Sequence, residues 1–215
     1  MKVVLVGASG FVGKAVLKEL LKTGHEVIAF VRDSRNLELQ NALTITEGDV
    51  NNAAEFANAI KGNDAVISAF NAGWTNPNLY EDFLKGSKAI QAGVKKSGVK
   101  RLLVVGGAGS LFINGKQLVD SPEFPAQYKA GATAARDYLN ELKKETELDW
   151  VFISPAMEMH PGTSGIRRGK YRTGSDNPVF DQSGRSIISV EDLAVVVVDE
   201  LEQPKHHRER FTAAY

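Results

Sequence analysis

The sequence predicts an α/β fold of the Rossmann type, a doubly wound parallel sheet forming a single domain over residues 1–215. Three observations predict it. Short β-branched runs alternate with longer stretches at helical spacing, the short runs are apolar throughout, and the first ends in Gly7-Ala8-Ser9-Gly10-Phe11-Val12-Gly13. Strands alternating with helices mean parallel strands joined by crossovers. Continuous apolar character suits strands covered on both faces.

In order, strands are expected at 2–6, 26–31, 43–47, 65–69, 101–105 and 150–154, with a last short one at 210–213. Helices are expected at 11–23, 53–61, 79–97, 125–146 and 190–202. Gly24, Gly62 and Gly98 each stand just past a helical run, where a left-handed C-terminal cap belongs. Two stretches break the rhythm: 71–78, rich in Asn, Gly and Pro, and a longer one at about 155–186, expected to cover the substrate. Both follow predicted strands and so emerge at the carboxyl edge of the sheet, where open α/β folds bind ligands.

Bulk composition narrows the function. A chain of 215 residues buries about 70% of its unfolded surface, enough for a core without staples. There is no cysteine, which excludes disulfides, thiolate nucleophiles, iron–sulfur clusters and thiolate zinc sites. Lys and Arg number 26 against 26 Asp and Glu, so no basic footprint marks nucleic acid or an anionic membrane as partner. The apolar run 3–6 is too short for a secretory signal, and no stretch approaches the ~20 apolar residues that span a bilayer. A cytoplasmic protein, monomeric or homodimeric, is expected.

Within the opening motif each glycine has its own task. Gly7 permits a tight exit from the strand, Gly10 removes a side chain where a pyrophosphate must approach, and Gly13 lets helix and strand pack closely. Free amides and the positive end of the following helix then face the phosphates, which marks Gly7, Ser9, Gly10, Phe11 and Val12 as cofactor-binding. The second strand ends in Arg32-Asp33-Ser34-Arg35. A carboxylate there reads the ribose 2′-hydroxyl of NAD, whereas arginine pairs with the 2′-phosphate of NADP. Arg32 comes first in register with Arg35 within reach, so NADP is expected, NAD being the other possibility. Asp49 and Val50 are placed to approach the adenine, although Asp49 competes with Asn51 and Asn52 to cap the next helix. Ala69, Phe70 and Asn71 leave the fourth strand beside the ribose. Gly106 and Gly107, in the nearly side-chain-free run 106–110, allow a flat ligand close to the backbone.

These residues resemble a known group, the atypical short-chain dehydrogenase/reductase superfamily, and within it the small NAD(P)H-binding proteins called NADH-flavin reductases, related to biliverdin-IXβ reductase. The likeness spans nearly the whole chain. Besides the glycine turn it is carried by Val31-Arg32-Asp33, Gly48-Asp49-Val50, Val105-Gly106-Gly107-Ala108-Gly109-Ser110, Asp149-Trp150-Val151-Phe152-Ile153-Ser154-Pro155, Gly169-Lys170-Tyr171-Arg172 and Ile188-Ser189-Val190-Glu191-Asp192. The resemblance implies NAD(P)H as cofactor and hydride transfer to a flavin or similar planar acceptor.

One departure matters. Short-chain dehydrogenases usually carry Tyr-x-x-x-Lys, in which the lysine lowers the tyrosine pKa for acid catalysis; here Tyr128 is followed at that spacing by Ala132. A conjugated acceptor needs no strong acid, only positioning and exclusion of water. Gly106, Gly107, Ser110, Phe70, Pro155 and Met157 would line such a site, with the proton coming from solvent or from the hydroxyl of Ser110 or Tyr128. Phe70, Trp74, Phe112 and Met157 either wall the acceptor or pack in the core. The basic run 167–172 either attracts a flavin phosphate or is a solvated loop. His206 and His207 read as surface residues, and no metal site is expected. Besides the reductase, two other readings stay open: a nucleotide-sugar epimerase or dehydratase, and a non-catalytic NADP-binding redox sensor.

Overall fold

The computed structural model describes residues 1–215. The chain runs β1 (Lys2–Val6), α1 (Phe11–Lys22), β2 (Glu26–Val31), β3 (Leu43–Glu47), α2 (Ala53–Ile60), β4 (Ala65–Ser68), α3 (Leu79–Ser97) and β5 (Arg101–Val105). There follow a hairpin of β6 (Phe112–Ile113) and β7 (Lys116–Gln117), then α4 (Ala126–Leu142), β8 (Asp149–Pro155), β9 (Arg172–Gly174), α5 (Val190–Glu202) and β10 (Glu209–Ala214). The main sheet has eight strands in the order β3-β2-β1-β4-β5-β8-β10-β9. All its pairings are parallel except β9 against β10. The order reverses between β1 and β4, which puts the glycine turn at the switch point of the sheet.

The strand period of two explains the two cores. Val3 and Leu5 of β1 face α1 and α5, packing in one cluster with Val16, Leu20, Leu193 and Val197. Val4 and Val6 face the other way, toward Phe56 of α2, Ile90 of α3 and Leu139 of α4. A strand with apolar partners on both sides has no polar position to alternate with, which is why its sequence reads as an unbroken apolar run.

Most predicted boundaries hold within two residues. Gly24, Gly62 and Gly98 adopt φ of +85°, +79° and +86°. Helix α4 ends at Leu142 rather than at 146, because the amides of Lys144 and Glu145 turn back to Glu141 and Leu142. The Glu145 carboxylate then accepts from the Glu147 amide at 2.7 Å and from Gln91 Nε2 at 2.9 Å. The hairpin and β9 were not foreseen; the hairpin turns on Asn114 and Gly115, both at positive φ, as a two-residue Asn-Gly turn requires. No helix is long and apolar enough to cross a membrane.

His207 is exposed as expected and His206 partly so, but both are tied to carboxylates. His206 Nδ1 lies 2.7 Å from Glu200 and its ring stacks on Phe211, while His207 Nδ1 lies 2.9 Å from Asp149. Arg101, buried beneath, bonds both carboxylates. The network pins the start of β10 to the amino edge of the sheet, away from the glycine turn.

Candidate nucleotide site at the carboxyl edge

The glycine turn has the geometry that the sequence demands. Gly7 sits at φ +82°, and a Cβ there would overlap the Ala69 carbonyl oxygen and lie 2.8 Å from its carbon. A Cβ on Gly13 would overlap the Gly7 carbonyl, so the first turn of α1 rests directly on the exit of β1. Gly10, the N-cap of α1, is exposed, and a Cβ on it would meet only the Gly7 oxygen, at 3.3 Å. That position opens outward. No side chain caps α1 and its first turn has no carboxylate. The amides of Ser9, Phe11 and Val12 donate to no protein group, so the positive helix end is free for an anion. These residues fit a dinucleotide phosphate: the cradle exists only because glycines form it.

At the end of β2, the exposed Arg35 pairs with Asp33 through three bonds of 3.0, 2.9 and 2.6 Å, and the Arg35 side chain holds the Asp33 carboxyl down at about 2. Arg32 is exposed and pairs with nothing in the protein. At the end of β3, Asn52 rather than Asp49 caps α2, accepting from the Glu55 amide. Asp49 instead accepts from the Asn51 amide and side chain, both at 2.9 Å, which holds its carboxyl below the ordinary range. It stays exposed, whereas Val50 is buried.

Other predicted residues divide. Ala69 lines the glycine turn, and Asn71 is exposed, accepting from the Gly73 amide at 2.7 Å. Phe70 does not form a wall: its ring turns inward onto Phe83 and fills the space left by Gly86. Gly106 is required because a Cβ would overlap the Phe152 ring, while a Cβ on Gly107 would make ordinary contact with Ala135 at 3.7 Å. Pro155 is buried at the end of β8. Ser110 is corrected most sharply. It is 1% exposed, its hydroxyl 3.2 Å from that of Ser154, so it faces the interior and offers no proton to a ligand in the cleft.

The basic run of the covering segment is also corrected. Arg167 pairs with Glu19 of α1 at 2.9 and 2.6 Å, Arg168 lies over the Tyr215 ring, and Arg172 donates to the carbonyls of Phe180 and Tyr215. The amides of Arg168 and Gly169 bond the fully buried Asp192 at 3.0 and 2.8 Å, as does the Tyr215 hydroxyl. Residues 165–172 thus form a strap across α1, α5 and the end of β10, not an anion site over the cleft. Sequence reasoning missed Asp192 as its hub, although the run Ile188-Ser189-Val190-Glu191-Asp192 had been singled out.

Met157, Trp74 and Tyr128, each beyond the carboxyl end of a strand, are all exposed. Trp74 and Tyr128 meet edge to face, centroids 5.5 Å apart. Ala132, in place of a lysine, lies 3.0 Å from where a Gly109 Cβ would be. Helix α4 packs closely on the 108–110 turn at this point.

Comparison with known proteins agrees with this geometry. A family described as NAD(P)H-binding matches residues 7–204. An uncharacterised Bacillus subtilis protein, YwnB, is 40% identical over 99% of this chain and 97% of its own length. Among solved structures, a Bacteroides thetaiotaomicron protein described as a "putative epimerase" is 49% identical at TM-score 0.91, covering 100% of this chain and 96% of that one. A Streptococcus pneumoniae protein described as a "putative NADH-flavin reductase" is 35% identical at TM-score 0.88, covering 100% and 99%.

Proposed function

The chain belongs to the NAD(P)H-binding family, and from that premise we propose that it is an NADPH-dependent cytoplasmic reductase passing hydride to a flavin or similar planar acceptor. The observation that carries the reading is the outward-opening cradle at Gly10 with its undonated amides. In this reading the amides of Ser9, Phe11 and Val12 hold the pyrophosphate, Arg32 pairs with the 2′-phosphate, and Asp49 and Asn71 approach the adenine and ribose ends. Gly106 and Gly107, at the exit of β5, would approach the ring through their backbone.

When bound, reduced nicotinamide supplies two electrons as hydride. A planar acceptor would take that hydride together with a proton from water, so the chain need supply no acid of its own. The protein's share is to hold the two rings together and to exclude competing groups. No residue needs to be a strong acid, which suits a cleft where Ser110 is buried and Tyr128 has Ala132 at the lysine position.

The Bacteroides relative's description keeps an epimerase in view. Against it, Tyr128 has Ala132 where the Tyr-x-x-x-Lys pair would place its lysine. The test is NADPH consumption, followed by nicotinamide absorbance, with and without FMN or riboflavin. Flavin-dependent consumption supports the reductase. Tight NADP binding with no turnover on a panel of flavins and quinones would instead favour a redox sensor.

A further inference from the structure

Trp74 is 58% exposed and Tyr128 45%. Two large rings left in water side by side need a reason. Their planes stand at 80°, so together they form a corner: one flat molecule can lie on one ring while its edge meets the other. The corner has a built seat. A Cβ on Gly131 would lie 2.9 Å from Trp74 Cζ3 and 3.2 Å from Leu79 Cδ2, so the indole rests against bare helix backbone and is held in place. The seat lies at the same carboxyl edge of the sheet as the glycine turn. Residue 132, next along α4, presses on the Gly109 turn, and the loop bearing Trp74 leaves β4 just beyond Ala69, which touches Gly7. Moreover, the Tyr128 hydroxyl bonds no protein group, while that of Tyr80 is held by Asp137 at 2.8 Å.

We propose that Trp74 and Tyr128 are the specificity element for the acceptor: a stacking corner that binds fused, conjugated rings and disfavours acyclic or saturated carbonyl compounds, with Tyr128 acting through its ring and not its hydroxyl. This rests on the planar-acceptor reading above.

The test is riboflavin binding to the full-length protein, without turnover. Because a bound flavin quenches both Trp74 and the buried Trp150, binding is read from the flavin and not from indole fluorescence. Trp74→Ala raises the riboflavin Kd, read from flavin fluorescence or dialysis, by about tenfold or more, the usual size of a stacking loss. Trp74→Phe restores most of it, Tyr128→Phe leaves it unchanged, Tyr128→Ala weakens it, and the Kd for NADP stays the same throughout. Equal riboflavin affinity in wild type and Trp74→Ala overturns the proposal. So does a Tyr128→Phe variant that binds riboflavin normally but loses turnover and the alkaline arm of its pH profile, since the hydroxyl would then be the acid. Wild type that binds NADP but no riboflavin overturns both the corner and the acceptor reading. Wild type that binds neither ligand shows that the nucleotide reading itself has failed.

Discussion

The Arg35 side chain and Asp33 are joined by three bonds, of 3.0, 2.9 and 2.6 Å, and this pairing singles out Arg32. The two residues that could have disputed the 2′-position neutralise each other. What remains at the end of β2 is one unpaired guanidinium.

Arg32→Ala therefore weakens NADPH binding about 10- to 100-fold while changing NADH binding little, the scale of a lost charge-assisted hydrogen bond. Arg35→Ala changes either affinity less. Titration of both dinucleotides against the three proteins checks this; equal losses for NADPH and NADH with Arg32→Ala would show that the residue does not read the phosphate.

Gly10 and Gly13 separate ligand binding from folding. Gly13→Ala drives a methyl into the Gly7 carbonyl, backbone against backbone, and destabilises the fold by about 3 kcal/mol or more. Gly10→Ala meets only one oxygen, at 3.3 Å, and leaves the melting temperature nearly unchanged. Its methyl instead occupies the phosphate cradle and lowers affinity for both dinucleotides. Thermal denaturation with cofactor titration distinguishes the two.

Asp192 holds three donors, the amides of Arg168 and Gly169 and the Tyr215 hydroxyl. Asp192→Ala leaves them without their acceptor under the strap, a loss of about 3 kcal/mol or more. Limited proteolysis should then cut within residues 163–172, where the native protein resists. Unchanged cleavage and stability would mean that the strap is held by its other contacts, such as Arg167 with Glu19 and Tyr171 with Asp199.

Glu145 makes acid stability measurable. Burial pushes its carboxyl up, but the Glu147 amide, Gln91 and Lys95 outweigh burial and bring it down to about 2 from an ordinary 4.5. A depressed folded value means that the stabilisation is complete above the unfolded pKa and is lost as pH falls toward the folded one. Between about pH 4.5 and 2, then, native protein loses stability more steeply than Glu145→Gln, and above pH 5 the native protein is the more stable, by about 1–3 kcal/mol. Urea midpoints across that range check the slope; parallel curves would remove Glu145 from the account.

How far the site could be read beforehand differs by residue. Gly7 and Gly13 were legible because each is demanded by its local turn and by the nearest strand. Asn114-Gly115 carried an equally local hairpin signal that the strand–helix rhythm obscured. Phe70, Ser110 and the arginines at 167, 168 and 172 were legible only as candidates. Each belongs to a residue type that serves a ligand or the protein's own interior equally well, and the choice depends on what stands opposite: Gly86, Ser154, Glu19, Tyr215.

From its order of residues alone this chain is a parallel α/β sheet with a glycine turn at its first strand, because helix period, strand period and turn chemistry act over a few residues and agree. Which side chains face the ligand was decided by tertiary structure. A partner more than a hundred residues away, such as Glu19 for Arg167, leaves no trace in local spacing, and only packing determines whether a charge or a ring is spent inside the fold or left open at the cleft.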